Sequence, residues 1–420
     1  MKAKQSSYIP LLLIMLFATL NSLKGQDSIA WGLQGKTKHL SNIQEVAILE
    51  NGDAVFCGGH DSLITFGDYS FRGPRDKSST GATRTSAYVG RISDEKEIRW
   101  VKQVAYADGG VYVSDLELDA FGNIYISASA GGIVHFGDGH SQNLGATGML
   151  IAKLSPEGEF IWGRAYSGLG AKVHFYHVLP RRDGKCYVLG NHGGGTFGSS
   201  RLPAGGDGQY SQYLGLVDDK GNPLWAESIG GSGGRITATD ICFSADRQVL
   251  ICGNYRNIHI DNVVDESLGL AKEDTKIKTK ITAGSIGVPL TSLSSSNGLV
   301  QAFIGKFNRD NGKPIEVHVY GGKKMSNITS LASDEEGNIY AGLSLYGEDL
   351  KIGGSIVHAN SGTTMAIAKL DKDWNCVWHK SFDSPGADYV NDLSLDGQKL
   401  YAAALVAGSK LNTDDAIYTA

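Results

Sequence analysis

Six residues sit at matching places in short apolar runs and carry most of the chemistry the chain offers: Glu45, Asp115, His177, Asp240, Ser330 and Asp392. Five of the runs read IQEVAIL, VSDLELD, FYHVLPR, ATDICFS and VNDLSLD. Carboxylates with an imidazole and a hydroxyl around one axis would suit a cation such as calcium, or a polar ligand. A plainer use is open to the same residues: accepting hydrogen bonds from backbone N–H groups of a neighbouring segment, wherever the run recurs. His174 and His177 are three apart, which on a strand turns them to opposite faces and away from a shared metal. No G-x-S-x-G elbow occurs, and the runs GNHGGG and GGSGG lack the strand-to-helix setting of a phosphate loop. No catalytic residue, metal set or cofactor is assigned.

The five cysteines divide in the same way. Cys57, Cys186 and Cys252 sit in strand-like runs as small apolar residues. Cys242 and Cys252 lie symmetrically about Arg247, so a hairpin turning there would let them face one another as a disulfide pair. The odd total leaves at least one thiol outside any internal pair.

What must position these residues is legible from spacing. Trp31, Trp100, Trp162 and Trp225 recur at near-regular intervals. GKPIEVHVYGG (312–322) then aligns with GNPLWAESIGG (221–231), placing Glu316 where tryptophan stood, and Trp378 resumes the series. Each interval holds four β-type segments: the run with the polar candidate, a second after a tight turn (NIYISAS, NIYAGLS), a third (GMLIAKLS, TMAIAKLD) and a fourth bearing the tryptophan. Four antiparallel strands repeated about an axis predict an all-β chain folded as a six-bladed β-propeller. The segment SIAWGLQG (28–35) reads as a lone fourth-type strand and AIYTA (416–420) as a third-type strand of the sixth blade. Pairing the two would close the ring and remove open edges. The shortness of the last strand leaves room for further sequence after residue 420.

Residues 1–25 read as an export leader: Lys2 and Lys4, the apolar run IPLLLIMLFATL, then small and polar residues. Nothing later has the length of a membrane-spanning run, so residues 26–420 are expected as an exported propeller, extracellular, at the cell surface or periplasmic. Glycine accounts for 56 of the 420 residues with no Gly-X-Y period, which fits many tight turns. A formal net charge of −5 with no basic stripe excludes nucleic acid as the expected partner.

The pattern D-x-x-G-N-hydrophobic-Y is carried by Asp119, Gly122, Asn123 and Tyr125, with VHFGDG (134–139) and LIAKLSPEGEFIW (150–162) following. In these residues the chain resembles the bacterial SBBP-type β-propeller repeats. Arg247 at a turn-glycine position and the missing tryptophan at Glu316 depart from that pattern. The resemblance implies secretion or surface display and implies no reaction. The working surface is expected on the rim of long segments at 60–85, 130–146, 191–211, 255–299 and 346–362, binding protein or glycan. The insertion at 260–298 is expected to form an extra hairpin or flap there. The alternatives are a structural subunit of a surface assembly, or a propeller hydrolase or lyase with a polar funnel.

Overall fold

A computed structural model describes residues 9–14, 32–37, 41–60, 63–66, 68–72, 85–167, 169, 177–203, 211–231, 234–257, 280–283, 286–289, 300–320, 326–347, 349–359, 363–383, 389–396, 399–405, 410–413 and 417–419. Trp31, His174 and most of the 260–298 insertion lie outside the described residues. Every regular element among the described residues is a strand, and no helix among them is long and apolar enough to cross a membrane. The chain is all-β. Short β-branched and aromatic runs cut by Gly, Asp and Asn turns leave no apolar face of helical period to bury.

Five antiparallel meanders of four strands follow one another. The first is Ser41–Ile48, Ala54–His60, Ser86–Ile92 and Ile98–Ala107; the second Val111–Leu118, Ile124–Ala130, Gly148–Leu154 and Phe160–Tyr166. His177–Pro180, Cys186–His192, Ser211–Val217 and Pro223–Gly231 make the third; Gly234–Phe243, Val249–Asn257, Val300–Phe307 and Pro314–Tyr320 the fourth. The fifth is Ser326–Ser333, Ile339–Tyr346, Thr363–Leu370 and Cys376–Asp383, and a two-stranded sheet, Tyr389–Asp396 with Lys399–Leu405, comes after it.

The chain divides into two compact units, residues 1–15, 29–204 and 214–226 in one, and 16–28, 205–213 and 227–420 in the other. Within each, the second and third strands are buried almost throughout, Gly148–Leu154 at every position. They therefore read as unbroken apolar runs instead of alternating ones. In the first unit Val55, Cys57 and Val89 of meander one pack with Leu116, Ile126 and Ala152 of meander two. In the second, Leu250 and Ile304 of meander four pack with Leu331, Leu343 and Ala366 of meander five. The core is the interior between stacked sheet faces.

Tight turns link the strands, and each needs one left-handed residue. Between first and second strands these are Gly52, Gly122, Gly184, Arg247 and Gly337; between third and fourth, Lys96, Gly158, Gly221, Gly312 and Trp374, all at positive φ. The only non-glycine residues with positive φ among those described, Lys96, Arg247 and Trp374, are all at these positions. Asp119 accepts from the N–H groups of Phe121 and Asn123 and from the Asn123 side chain. Asp334 does the same for Glu336 and Asn338. The D-x-x-G-N sequence is thus an Asx-type turn that folds itself.

The segments between second and third strands are built differently from the long loops expected. Each carries a two-stranded hairpin: Leu63–Phe66 with Tyr69–Arg72, Ile133–Phe136 with Ser141–Asn143, Gly195–Phe197 with Ser200–Leu202, Lys280–Ala283 with Ile286–Pro289, and Leu350–Ile352 with Ser355–Val357. Ile133–Phe136 adds to the end of Ile98–Ala107, the fourth strand of the preceding meander, and Lys280–Ala283 adds likewise to Ile229–Gly231. The hairpin of the 260–298 insertion is therefore the counterpart of the other four and not an extra one.

Two strands take roles other than those expected. Ile417–Thr419 is the second strand of a sixth such hairpin, begun by Lys410–Thr413, which adds to Cys376–Asp383. It is not a third-type strand. Gly32–Thr37 lies between Ile9–Ile14 and Leu63–Phe66, so the strand expected to close onto 416–420 has other neighbours.

Candidate functional site

All six candidate residues lie in a first strand, and a β-bulge comes immediately before five of them. The register against the second strand shifts between Ile43 and Glu45, Val113 and Asp115, Ala238 and Asp240, Ile328 and Ser330, and Val390 and Asp392. One polar residue (Gln44, Ser114, Thr239, Thr329 or Asn391) bulges out of register before each. A bulge adds local twist and redirects the next side chain. From this position Asp115, Asp240 and Ser330 reach the following meander. The signal was present in the sequence: QE, SD, TD, TS and ND are pairs of adjacent polar residues, which break strict alternation.

Their contacts follow one rule. Asp115 Oδ2 accepts from the N–H of Val178, the residue after His177, at 2.8 Å. Asp240 Oδ2 accepts from the N–H of Leu331, the residue after Ser330, at 2.6 Å. Ser330 Oγ accepts from the N–H of Leu393, the residue after Asp392, at 3.0 Å. These three candidates thus latch the next first strand by its backbone. The latches are buried or half-buried, with Asp115 at 8% and Ser330 at 1% exposure, so each bond is shielded from water.

The structure brings the candidates together in two groups, one in each compact unit. In the first, His177 Nδ1 stands 3.9 Å from Asp115 Oδ2, and Glu45 lies with Asp115 around the Cys57 thiol. In the second, Ser330 Oγ lies 2.8 Å from Asp240 Oδ2 and 3.2 Å from Asp392 Oδ1. A single hydroxyl between two carboxylates, itself accepting a backbone N–H, is a positioned polar network. Among the described residues no three His, Cys, Asp or Glu side chains converge as a metal-binding set.

The cysteines beside this network are inert. Burial pushes the Cys57 thiol well up, with Glu45 and Asp115 adding to it, and burial does the same for Cys252 beside Asp240. A thiol held neutral is a poor nucleophile. The expected disulfide is not formed: neither Cys242 nor Cys252 is bridged to another cysteine. The hairpin turns about Asp246 and not about Arg247, which sets Cys242 opposite Leu250 and Cys252 opposite Asp240 and leaves the two cysteines unmatched.

The tryptophans serve packing between meanders. The turn glycine of the next meander lies against two of the rings: a Cβ at Gly158 would come within 3.0 Å of Trp100 and one at Gly221 within 2.8 Å of Trp162. Where Glu316 replaces tryptophan, the arrangement inverts: Trp374 occupies the next turn's glycine position and stacks on His318 at 4.0 Å.

The basic residue of the third strand is also spoken for. Lys153 lies 3.4 Å from Asp119 and 4.7 Å from the Tyr125 ring centre; Lys369 repeats both contacts with Asp334 and Tyr340. Arg91 with Asp53 and Lys306 with Asp246 complete the set. Burial raises the Asp334 carboxyl, but hydrogen bonds from Asn338 and Tyr340 and the charge of Lys369 outweigh it and hold the group below its ordinary 3.8. The Asp53 and Asp246 carboxyls are lowered in the same way, against burial, by Arg91 and Lys306.

No protein-family model matches the chain, and no curated protein matches its sequence.

Proposed function

We propose that this chain is an exported β-propeller of six blades, akin to the SBBP-type repeat proteins, and that it works as a non-catalytic binding or display module. Its partner would be protein or glycan at the cell surface. The observation that carries the reading is the use made of the candidate residues: at least three of the six spend their acceptors on backbone N–H groups of the next first strand. Groups committed to joining meanders are poorly placed to bind or turn over a substrate, which moves recognition to the hairpin-bearing segments. The blade count is supported by Gly32–Thr37, which carries the hairpin Leu63–Phe66 as the fourth strands Ile98–Ala107 and Cys376–Asp383 carry theirs. It is read as a sixth strand of the fourth type.

The test is a comparison of partners captured from the native cell envelope by the intact chain and by one lacking residues 258–279. That deletion spares the hairpin Lys280–Pro289, which pairs with Ile229–Gly231. Loss of a specific partner with an unchanged thermal midpoint supports the reading; an unchanged set of partners removes this segment from recognition.

A structural subunit of a surface assembly is the second reading, and one observation favours it. Ile161, Leu224, Ile315 and Val377, each one residue before the tryptophan position on an outer strand, are apolar and 42–56% exposed. Ile161, Ile315 and Val377 sit at bulges that push them outward. Changing all four to serine should abolish self-association under this reading and leave it unaltered under the first.

A further inference from the structure

One step along the strands from the latches, the second compact unit carries another set of polar side chains. Thr237, Asn327 and Tyr389 hold one position on three successive first strands, two residues before the bulge. The second-strand residues that meet them are placed by their neighbours. Cys252 Sγ lies 3.7 Å from the Ile328 carbonyl oxygen, and a Cβ on Gly342 would stand 2.7 Å from Val390. Both residues therefore face the next first strand, and so, at a period of two, do Asn254, Ser344 and Tyr346.

Across each joint the residues pair like with like. Asn254 Nδ2 donates to Asn327 Oδ1 at 3.0 Å. Tyr346 donates to the Tyr389 hydroxyl, with the two ring centres 6.3 Å apart and the planes at 54°. Burial first, and then Tyr389, push the Tyr346 hydroxyl up, so it stays a neutral donor. All four side chains are half-buried, and each pair spends only part of its capacity. Asn254 keeps one N–H, Asn327 keeps two, and Tyr389 keeps its own O–H. Ser344 lies deeper: it is 0% exposed, and its Oγ has no hydrogen-bond partner among the described residues. A buried hydroxyl left in that condition costs stability, which a ligand group reaching it would restore. None of the five residues carries a charge, so an ionised ligand would be desolvated there without a counter-charge from them. Mixed donors and acceptors beside phenol rings suit a ligand that is rich in hydroxyls, uncharged and apolar on its ring faces.

We infer that Asn254, Asn327, Ser344, Tyr346 and Tyr389 form a binding site for a neutral saccharide. The amides and hydroxyls bond its hydroxyl groups, and the phenol rings pack on its C–H faces. The inference rests on the reading of the chain as a binding module and narrows its partner from protein or glycan to glycan. The contact lies at the ends of the second strands, where the hairpin-bearing segments leave the sheets, and it needs nothing from residues 258–279.

The test is calorimetric titration of the full chain with uncharged oligosaccharides of glucose, mannose, galactose and N-acetylglucosamine, and with oligogalacturonate and sialyllactose as acidic probes. A neutral probe should bind one site per chain, about tenfold or more tighter than either acidic one. Tyr389→Phe and Asn327→Ala should each weaken it about three- to tenfold, the loss of one hydrogen bond. Ser344→Ala should weaken it to a similar extent and yet raise the thermal midpoint of the unliganded chain, because the buried hydroxyl is gone. Tyr389→Phe and Ser344→Ala each remove a single hydroxyl, and an unchanged circular dichroism spectrum checks that both variants fold. No neutral probe bound at millimolar concentration overturns the inference. So does binding that all three variants leave unchanged, or an acidic probe held as tightly as a neutral one. Capture of an envelope protein by a chain that binds no saccharide refutes this site and leaves the binding module standing.

Discussion

Asp115, Asp240 and Ser330 show how a polar residue in a first strand is recruited. Each accepts one backbone N–H across to the next meander. Losing such an acceptor strands a buried donor, which costs about 1–3 kcal/mol. Asp115→Ala and Asp240→Ala should each lower the unfolding free energy by that amount and the urea midpoint with it, and the double variant should be additive, because the two latches lie in separate compact units. A midpoint unchanged in either variant would show that the bond contributes nothing. The turns make a second residue-scale case. Arg247 is exposed and sits at φ 60°, a conformation that costs a non-glycine residue about 1–2 kcal/mol. Allowing for the backbone entropy that glycine loses on folding, Arg247→Gly should stabilise the chain by about 1 kcal/mol in the same assay. Trp374→Gly relieves similar strain at φ 65° but removes the stack on His318, so its midpoint should fall.

At the scale of elements, the hairpins between second and third strands behave as straps between outer strands. Ile133–Phe136 pairs with the end of Ile98–Ala107, and Gln142 of the same hairpin accepts from the Ala165 N–H on Phe160–Tyr166. The Phe-Gly sequence at its corner has a steric cause, because a Cβ on Gly137 would stand 2.8 Å from the Gln103 carbonyl oxygen. Gly353, with a Cβ 2.4 Å from the Cys376 nitrogen, is constrained in the same way. Gly137→Ala should therefore detach the strap at a cost of about 1–3 kcal/mol. Hydrogen exchange at Ile133–Phe136 should accelerate while Gly148–Leu154 stays protected. Equal acceleration of both would mean that the strap and its meander open as one.

For the whole molecule, the third-strand cations and turn carboxylates set the response to acid. Asp53, Asp246 and Asp334 are held below their ordinary 3.8 in the folded chain, and Asp183 and Asp218 are lowered as well. A depressed folded pKa gives stability that is whole above the unfolded value and is lost as pH falls through the folded one. The urea midpoint should accordingly be flat from pH 7 to about 5 and fall steeply below about pH 4. Lys306→Met with Lys369→Met should make that fall shallower, since Asp246 and Asp334 lose the cations that help hold them below 3.8. A fall unmoved by the double variant would assign acid unfolding to other groups.

Much of this was readable before any coordinate. All-β class, the four-strand order and the turn glycines follow from local rules, in which a Gly-Asn turn after an acid and an apolar run between turns each specify their own backbone. Even the bulges were written as adjacent polar pairs. What sequence did not decide was which groups meet across strands. Cys242 and Cys252 are equidistant from Arg247 in the chain, yet the hairpin turns about Asp246 and sets Leu250 and Asp240 opposite them. The six aligned polar residues are open to a ligand role or a latch in sequence, and for Asp115, Asp240 and Ser330 it is the position of the next backbone N–H that shows the latch. Ile417–Thr419 was apolar enough for a third strand and is a hairpin strand instead, because short apolar runs fit several places in a sheet. Pairing partners are a long-range choice, settled by where the remaining strands leave an edge, and only the folded chain holds that information.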